Sequence, residues 1–237
     1  MALPRVNEVL KFTLTIPSTG QKVKYRPYLV KEEKVLLQAF ESQDVKACLQ
    51  AMSDTIEACL DDKKKIEVSK LPTFDLEYMF IQIRGKSVGE SSDILVSCKE
   101  CGEQNEYCID LNDIKVQGDK KTSNVIDITD SIKVEVGYPS YEMMMNREDE
   151  DGTTVDNALE ILADTIEAVH TSEERITVRE QPREELMEFL NSMTASQLKS
   201  LSEYIETMPK LKHDVNFKCK KCGTENSITL QGLTDFF

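Results

Sequence analysis

The chain has 237 residues, of which 40% are hydrophobic and 30% charged, values typical of a globular protein with one large or two small domains. Its net charge of −14 repels a phosphate backbone and argues against general binding of nucleic acid. The apolar runs are too short to cross a membrane, and the first residues lack the apolar stretch of a secretory signal, so we expect a soluble cytosolic protein.

The first half of the chain predicts a β-hairpin followed by helices. Alternating apolar residues flank a Pro-Ser-Thr-Gly turn, and later apolar residues recur at helical spacing. The predicted elements are strands 12–16 and 22–25, and helices 32–40, 45–60 and one beginning near 76. Cys48 and Cys59 fall on the apolar face of helix 45–60, and we interpret them as core residues.

The second half predicts a similar series of elements. They are strands 124–128 and 132–136, helix 155–170, a helix beginning near 186, and a further helix 194–208. Thr194 and Gln197 have the spacing of a capping box at the start of that last helix, and Pro209 would end it. The acidic run 148–152 is most simply a solvated loop.

A repeated pentapeptide relates the two halves. Asp-Thr-Ile-Glu-Ala occurs at 54–58 and again at 164–168, 110 residues later, and 11 of the 36 positions in 45–80 are identical in the same register. Two unrelated amphipathic helices would share apolar positions but not this pentapeptide. We therefore predict an internally duplicated α+β chain, with pseudo-repeats at 1–112 and 113–237 that form one composite domain, the second repeat carrying the extra helix 194–208.

Four of the seven cysteines form two CxxC pairs, which we call the first knuckle (98–101) and the second knuckle (219–222). In each, two residues separate the cysteines, a glycine follows, and strand-like sequences lie on both sides. This pattern predicts two hairpins whose four sulfurs hold one metal ion in a zinc ribbon. The predicted ligands are Cys98, Cys101, Cys219 and Cys222, and the predicted cofactor is one structural zinc ion, with iron as the alternative.

Other interpretations of the cysteines are weaker. A redox pair of the thioredoxin type needs a CxxC at the start of a helix, whereas these pairs lie on predicted hairpins. An odd number of cysteines without a secretory signal does not suggest a disulfide framework. Cys108 has no counterpart near the second knuckle, where Thr229 takes its place, and we interpret it as a core or strand residue.

No catalytic pattern is evident. The segment 84–87 (Arg-Gly-Lys-Ser) ends like a phosphate-binding loop but lacks the earlier glycine and closes a predicted helix. His170 and His213 lie in no nucleophile or metalloprotease pattern, with His170 expected at the end of a helix. We therefore predict no catalytic residues, no organic cofactor and no enzymatic activity.

Three segments, together with the paired knuckles, carry a family resemblance. They are Phe-Ile-Gln-Ile-Arg-Gly-Lys-Ser-Val-Gly-Glu at 80–90, Glu-Thr-Met-Pro-Lys-Leu-Lys-His at 206–213, and Leu-Gln-Gly-Leu-Thr-Asp-Phe-Phe at 230–237. In combination they resemble the baseplate hub subunit family of T-even-like contractile-tailed phages. The resemblance implies a viral protein made in the bacterial host cytoplasm and acting in the tail baseplate, as a virion component or as an assembly chaperone.

The resemblance also implies the partners: baseplate hub and tail proteins, with the tape measure protein as a further candidate. It brings no catalytic residues. From the net charge and the short apolar runs we expect neither nucleic acid nor a membrane among the partners. The alternative function is a zinc-ribbon regulator that binds nucleic acid or the transcription machinery, because Lys218, Lys220 and Lys221 give local positive charge at the second knuckle. The net charge and the lack of a basic stripe with aromatics disfavour it. The oligomeric state stays open.

Overall fold

A computed structural model describes residues 10–42, 44–62, 65–118, 124–145 and 154–236. The strands are β1 (Phe12–Thr15), β2 (Lys22–Tyr25), β3 (Ser91–Ser97), β4 (Gln104–Asp110), β5 (Lys115–Gln117), β6 (Val125–Asp127), β7 (Lys133–Val136), β8 (Ile166–His170), β9 (Arg175–Thr177), β10 (Lys210–Lys218) and β11 (Glu225–Gln231). The α-helices are α1 (Val30–Ser42), α2 (Val45–Cys59), α3 (Thr73–Ser87), α4 (Tyr141–Met145), α5 (Thr154–Thr165), α6 (Arg183–Asn191) and α7 (Ala195–Thr207). Among these residues no helix has the length and apolar character to cross a membrane.

The chain forms two compact units, and each combines helices with antiparallel sheet. Unit 1 consists of Met1–Gln117 together with Lys210–Phe237, and unit 2 of Gly118–Pro209. The predicted α+β class is confirmed. Strand β10 pairs with β5 and so joins the last segment of the chain to unit 1. The internal duplication and its pseudo-repeats stay a prediction.

Unit 1 is organised around α3. Leu76, Met79, Phe80 and Ile83, which set the predicted helical spacing, are all fully buried. Further fully buried residues of unit 1 come from α2, from the β1–β2 hairpin, from β4 and from two 3-10 turns, Leu111–Asp113 and Leu233–Phe236. The largest of them are Tyr25, Ile16, Met52, Ile56, Ile109, Leu111 and Phe236. Burial of this much apolar surface is the main stabilising contribution to the unit.

The knuckle hairpins in unit 1 show the alternation that their sequences predict. Residues of β3 and β4 alternate between buried and exposed positions, with Ile94, Val96 and Ile109 on the inner face. Among the described strands β3 pairs with β4 alone, whereas β10 lies between β11 and β5. Each hairpin therefore has one face on the core of the unit and carries its CxxC turn at its tip.

Unit 2 has a core of its own beneath the four-stranded sheet β6-β7-β8-β9. The buried residues of that core are Val134, Val136, Leu162, Ala163, Ile166, Leu186, Leu190, Leu201, Tyr204 and Met208. The capping box at the start of α7 is confirmed: Thr194 Oγ1 accepts from the N–H of Gln197, whose side chain accepts from the N–H of Thr194. The acidic run 148–152 lies outside the described residues.

The prediction of one helix over 155–170 is wrong in its last third. α5 ends at Thr165, and Ile166 begins strand β8, which pairs with β7 on one side and β9 on the other. The Thr165 hydroxyl donates to the carbonyl of Leu162. The backbone carbonyl of Thr165 accepts from the N–H of Gly137 and not from a later residue of the same helix. The β-branched side chains in this segment suit a strand, and sheet pairing outweighs the helical apolar spacing. His170 consequently lies on a strand.

Candidate metal centre

The two knuckles adopt the same turn at the tips of the β3–β4 and β10–β11 hairpins. The N–H of Cys98 donates to the carbonyl of Glu103 at 2.9 Å, and the N–H of Gly102 donates to the carbonyl of Cys98 at 3.0 Å. The second knuckle repeats both bonds, from Cys219 to Thr224 and from Gly223 to Cys219, at the same distances. Gly102 and Gly223 have φ of 70° and 75°, which a side chain would disfavour.

The hairpins bring all four cysteines of the predicted ligand set together. Their sulfur atoms lie within 4.8 Å of one another, and the described residues contain no other such cluster of ligand side chains. Cys98 Sγ lies 3.7 Å from Cys222 Sγ, and Cys101 Sγ lies 3.7 Å from Cys219 Sγ. Tetrahedral zinc with bonds of about 2.3 Å requires sulfur separations of about 3.8 Å. The geometry is therefore compatible with one tetrahedral metal ion shared by the two knuckles.

Burial divides the cluster into two kinds of cysteine. Cys98 and Cys219, the first of each pair, are 3% and 2% exposed, whereas Cys101 and Cys222 reach the surface. An ion held by these sulfurs would sit at the outer end of the hairpins. Four thiolates would fill a tetrahedral shell and leave no position for a reacting water, so the ion would hold structure and would not activate water.

The electrostatics of the cluster favour a cation. The N–H of Cys222 donates to Cys219 and lowers the pKa of that thiol to about 6, and the N–H of Cys101 likewise lowers the pKa of Cys98. The N–H of Glu103 also favours the thiolate of Cys101, but desolvation and the neighbouring sulfurs raise its pKa to about 12. Negative charge on the sulfurs of Cys98 and Cys219 thus opposes ionisation of Cys101. A divalent cation bound by the sulfurs would offset this repulsion.

Two asparagines contact the cluster, and sequence reasoning assigned them no role. Asn226 Nδ2 lies 3.4 Å from Cys98 Sγ, and Asn105 Nδ2 lies 3.8 Å from Cys219 Sγ. The available signal was their spacing, since each follows the last cysteine of its own knuckle by four residues. That spacing indicated a matching position but not the direction in which the side chain points.

The lysines of the second knuckle pair with carboxylates of the first hairpin. Lys221 Nζ lies 2.7 Å from Glu103 Oε2, and Lys220 Nζ lies 3.5 Å from Glu106 Oε2. These pairs are exposed, so each stabilises the hairpins only slightly. Their positive charge is nevertheless balanced locally, which weakens the argument for a phosphate-binding surface at this knuckle.

The remaining candidates lie away from the cluster. Cys59 is buried in α2 as predicted, and Cys48 is half-buried there. Cys108, for which the sequence predicts a core or strand position, lies on strand β4 with its side chain exposed. The segment 84–87 forms the last turn of α3, which cannot offer a helix N-terminus to a phosphate. His170 contacts Glu135 within unit 2.

Comparison with known proteins identifies the family. The family described as T4 bacteriophage base plate protein matches residues 9–237, nearly the whole chain and both knuckles. No curated protein and no solved structure matches the chain. Because the match spans both compact units and agrees with the resemblance carried by the three segments and the paired knuckles, the chain belongs to the T4 bacteriophage base plate protein family.

Proposed function

We propose that this base plate protein is a non-enzymatic component of the baseplate hub, acting by binding other tail proteins, and that one zinc ion joins its two knuckles. The observation that carries the proposal is the cluster of four sulfurs at the tips of two hairpins, within a chain of the base plate family. The predicted ligands are Cys98, Cys101, Cys219 and Cys222. Such an ion would link segments more than 100 residues apart and stabilise unit 1.

The metal assignment is tested by elemental analysis of the purified full-length protein. We expect one zinc per chain, lost when the protein is unfolded in the presence of a chelator. Iron in place of zinc would correct the metal but keep the site. A protein that holds no metal after preparation in zinc-containing buffer, with all four thiols reacting rapidly, would contradict the site.

The proposed role in assembly has two forms, a permanent hub component and a chaperone that leaves, the latter with the tape measure protein as a candidate client. Quantitative mass spectrometry of purified particles and of the lysate distinguishes them. A fixed ratio to other hub proteins in the particle supports the component, and abundance in the lysate without incorporation supports the chaperone. Absence of any association with tail proteins in either fraction would contradict both.

The alternative, a zinc-ribbon regulator of transcription, finds less support. Lys220 and Lys221 are paired with Glu106 and Glu103, and the net charge of −14 opposes approach to a phosphate backbone. A gel-shift experiment at low salt tests it directly. Binding that weakens steeply with salt would favour the regulator, and no binding at low salt would exclude it.

The proposed duplication is supported by the order of elements. A hairpin precedes the helices in each half (β1–β2 and β6–β7), a 3-10 turn precedes the later helix (Val68–Lys70 before α3, Val178–Glu180 before α6), and a knuckle hairpin follows. The strands β8 and β9 and the helix α7 are additions of the second half. Superposition of an experimental structure on itself, with a 110-residue offset, would test whether α3 and α6 pack equivalently.

A further inference from the structure

Two buried asparagines connect the knuckles through direct contacts between side chain and backbone. Asn105 lies on β4 and Asn226 on β11, and they are 2% and 6% exposed. Each follows its own knuckle in sequence, yet its side chain reaches the other knuckle. The two contacts run in opposite directions, so that each hairpin supplies an amide to its neighbour.

The oxygen of each amide accepts from a backbone N–H of the opposite knuckle. Asn105 Oδ1 accepts from the N–H of Lys220 at 2.8 Å, and Asn226 Oδ1 accepts from the N–H of Lys99 at 2.9 Å. Because a backbone N–H can only donate, these bonds fix the orientation of both amides. The NH₂ group must then face the other way.

The NH₂ group of each asparagine faces a backbone carbonyl and a cysteine sulfur. Asn105 Nδ2 donates to the carbonyl of Glu103 at 2.9 Å and to Cys219 Sγ at 3.8 Å. Asn226 Nδ2 makes the equivalent bonds at 2.9 Å and 3.4 Å. Both amide hydrogens are therefore used, and a buried polar group has no unmet bond.

We propose that Asn105 and Asn226 are positioning residues of the metal centre, each setting the pairing of the knuckles and donating to a thiolate of the opposite one. The inference rests on the proposed zinc site. A donor to a thiolate reduces the charge density on sulfur and so lessens repulsion among the four ligands. Residues that orient metal ligands in this way commonly change metal affinity by about 10–100-fold. One consequence is that a single hairpin is an incomplete site.

The test uses Asn105→Asp and Asn226→Asp in the full-length protein. Aspartate keeps the acceptor for the backbone N–H but replaces both donors with an oxygen that repels the thiolate. Asn216→Asp makes the same change at an exposed position of β10 and serves as the control. Zinc-free protein is titrated with Co²⁺, and the sulfur-to-cobalt charge-transfer absorption is recorded together with zinc affinity by chelator competition.

We expect both variants to bind the ions about 10–100-fold more weakly. Their charge-transfer band should move to lower energy, since a sulfur without its donor gives up an electron more easily. A purely structural role would lower stability without moving the band. Variants that bind Co²⁺ with wild-type affinity and an unchanged band, like Asn216→Asp, would overturn the inference while leaving the metal centre intact.

A second measurement needs no variant and covers the case in which the substitutions prevent folding. In wild-type protein loaded with the NMR-active cadmium isotope, the side-chain amide protons of Asn105 and Asn226 should couple to the metal through N–H···S bonds. Resolved amide signals without that coupling would overturn direct donation. Wild-type protein that binds none of Co²⁺, Zn²⁺ or Cd²⁺ would refute the proposed metal centre itself, and the inference with it.

Discussion

Asp75, fully buried on α3, accepts at Oδ1 from the backbone N–H of Ser18 at 3.0 Å and at Oδ2 from the Ser18 hydroxyl. Ser18 lies in the turn between β1 and β2, so one carboxylate fixes that turn to the central helix of unit 1. The bonds compensate the desolvation of a buried polar side chain, which would otherwise be unfavourable.

We expect Asp75→Ala to lower the free energy of unfolding by about 3 kcal/mol, because it removes an acceptor from two donors and leaves a cavity. Ser18→Ala removes only the hydroxyl and should have a smaller effect, about 1 kcal/mol. Urea unfolding followed by circular dichroism measures both. Equal effects of the two substitutions would show that the hydroxyl, and not the backbone N–H, carries the contact.

The local elements could be predicted from sequence because their signals lie within a few residues. The Pro-Ser-Thr-Gly turn, the spacing Leu76-Met79-Phe80-Ile83 and the capping residues of α7 each specify an element through neighbouring groups. The four cysteines could be grouped as one candidate ligand set because a CxxC turn on a hairpin points both of its sulfurs to the same side.

The remaining features depend on contacts between distant segments. Nothing near Lys210 indicates that β10 pairs with β5, which brings the last segment of the chain into unit 1. The sequence of β8 predicts a helix because Ile166 and Val169 also satisfy a helical spacing, whereas the strand depends on pairing with β7 and β9. The direction of the Asn105 and Asn226 side chains likewise depends on the opposite hairpin, which a local pattern does not describe.

Substitution of single cysteines should distinguish the proposed metal ligands from the other cysteines. Cys219→Ser takes away a buried sulfur of the cluster, and we expect loss of bound zinc and a fall in unfolding free energy of several kcal/mol, on the order of a lost structural metal. Cys108→Ser makes the same chemical change on an exposed strand position and should keep both zinc and stability within about 0.5 kcal/mol. Elemental analysis, chelator competition and thermal unfolding measure the outcome, and zinc held by Cys219→Ser with wild-type affinity and stability would exclude Cys219 as a ligand.

The ion pairs of Glu135 in unit 2 should make stability depend on pH. Hydrogen bonds from Arg175 and then His170 lower the pKa of Glu135 below its usual 4.5. Because the pKa of Glu135 is lower in the folded state, its ion pairs contribute fully to stability at a pH above the unfolded-state pKa. This contribution is lost as the pH falls through the folded-state pKa.

We therefore expect Glu135→Gln to be less stable than wild type at neutral pH, by less than about 1 kcal/mol since Arg175 is largely exposed. The difference should shrink as the pH falls below about 4.5. Urea unfolding at several pH values measures it, with Glu173→Gln, the same charge change in the exposed turn between β8 and β9, as control. A difference that does not vary with pH would show that packing, and not charge, accounts for the effect.

The capping box of α7 gives the most local prediction. Thr194 Oγ1 accepts from the N–H of Gln197 at 3.4 Å, and Gln197 Oε1 accepts from the N–H of Thr194 at 2.8 Å. Gln197 Nε2 also donates to the carbonyl of Ile128 at 3.0 Å, so the cap connects α7 to the segment after β6. Thr194→Ala should lower the stability of unit 2 by about 1 kcal/mol, whereas Thr194→Ser keeps the hydroxyl and should differ little from wild type. Hydrogen exchange of the α7 amides measures the local effect, and faster exchange in both variants would mean that the threonine methyl, and not the hydroxyl, stabilises the helix start.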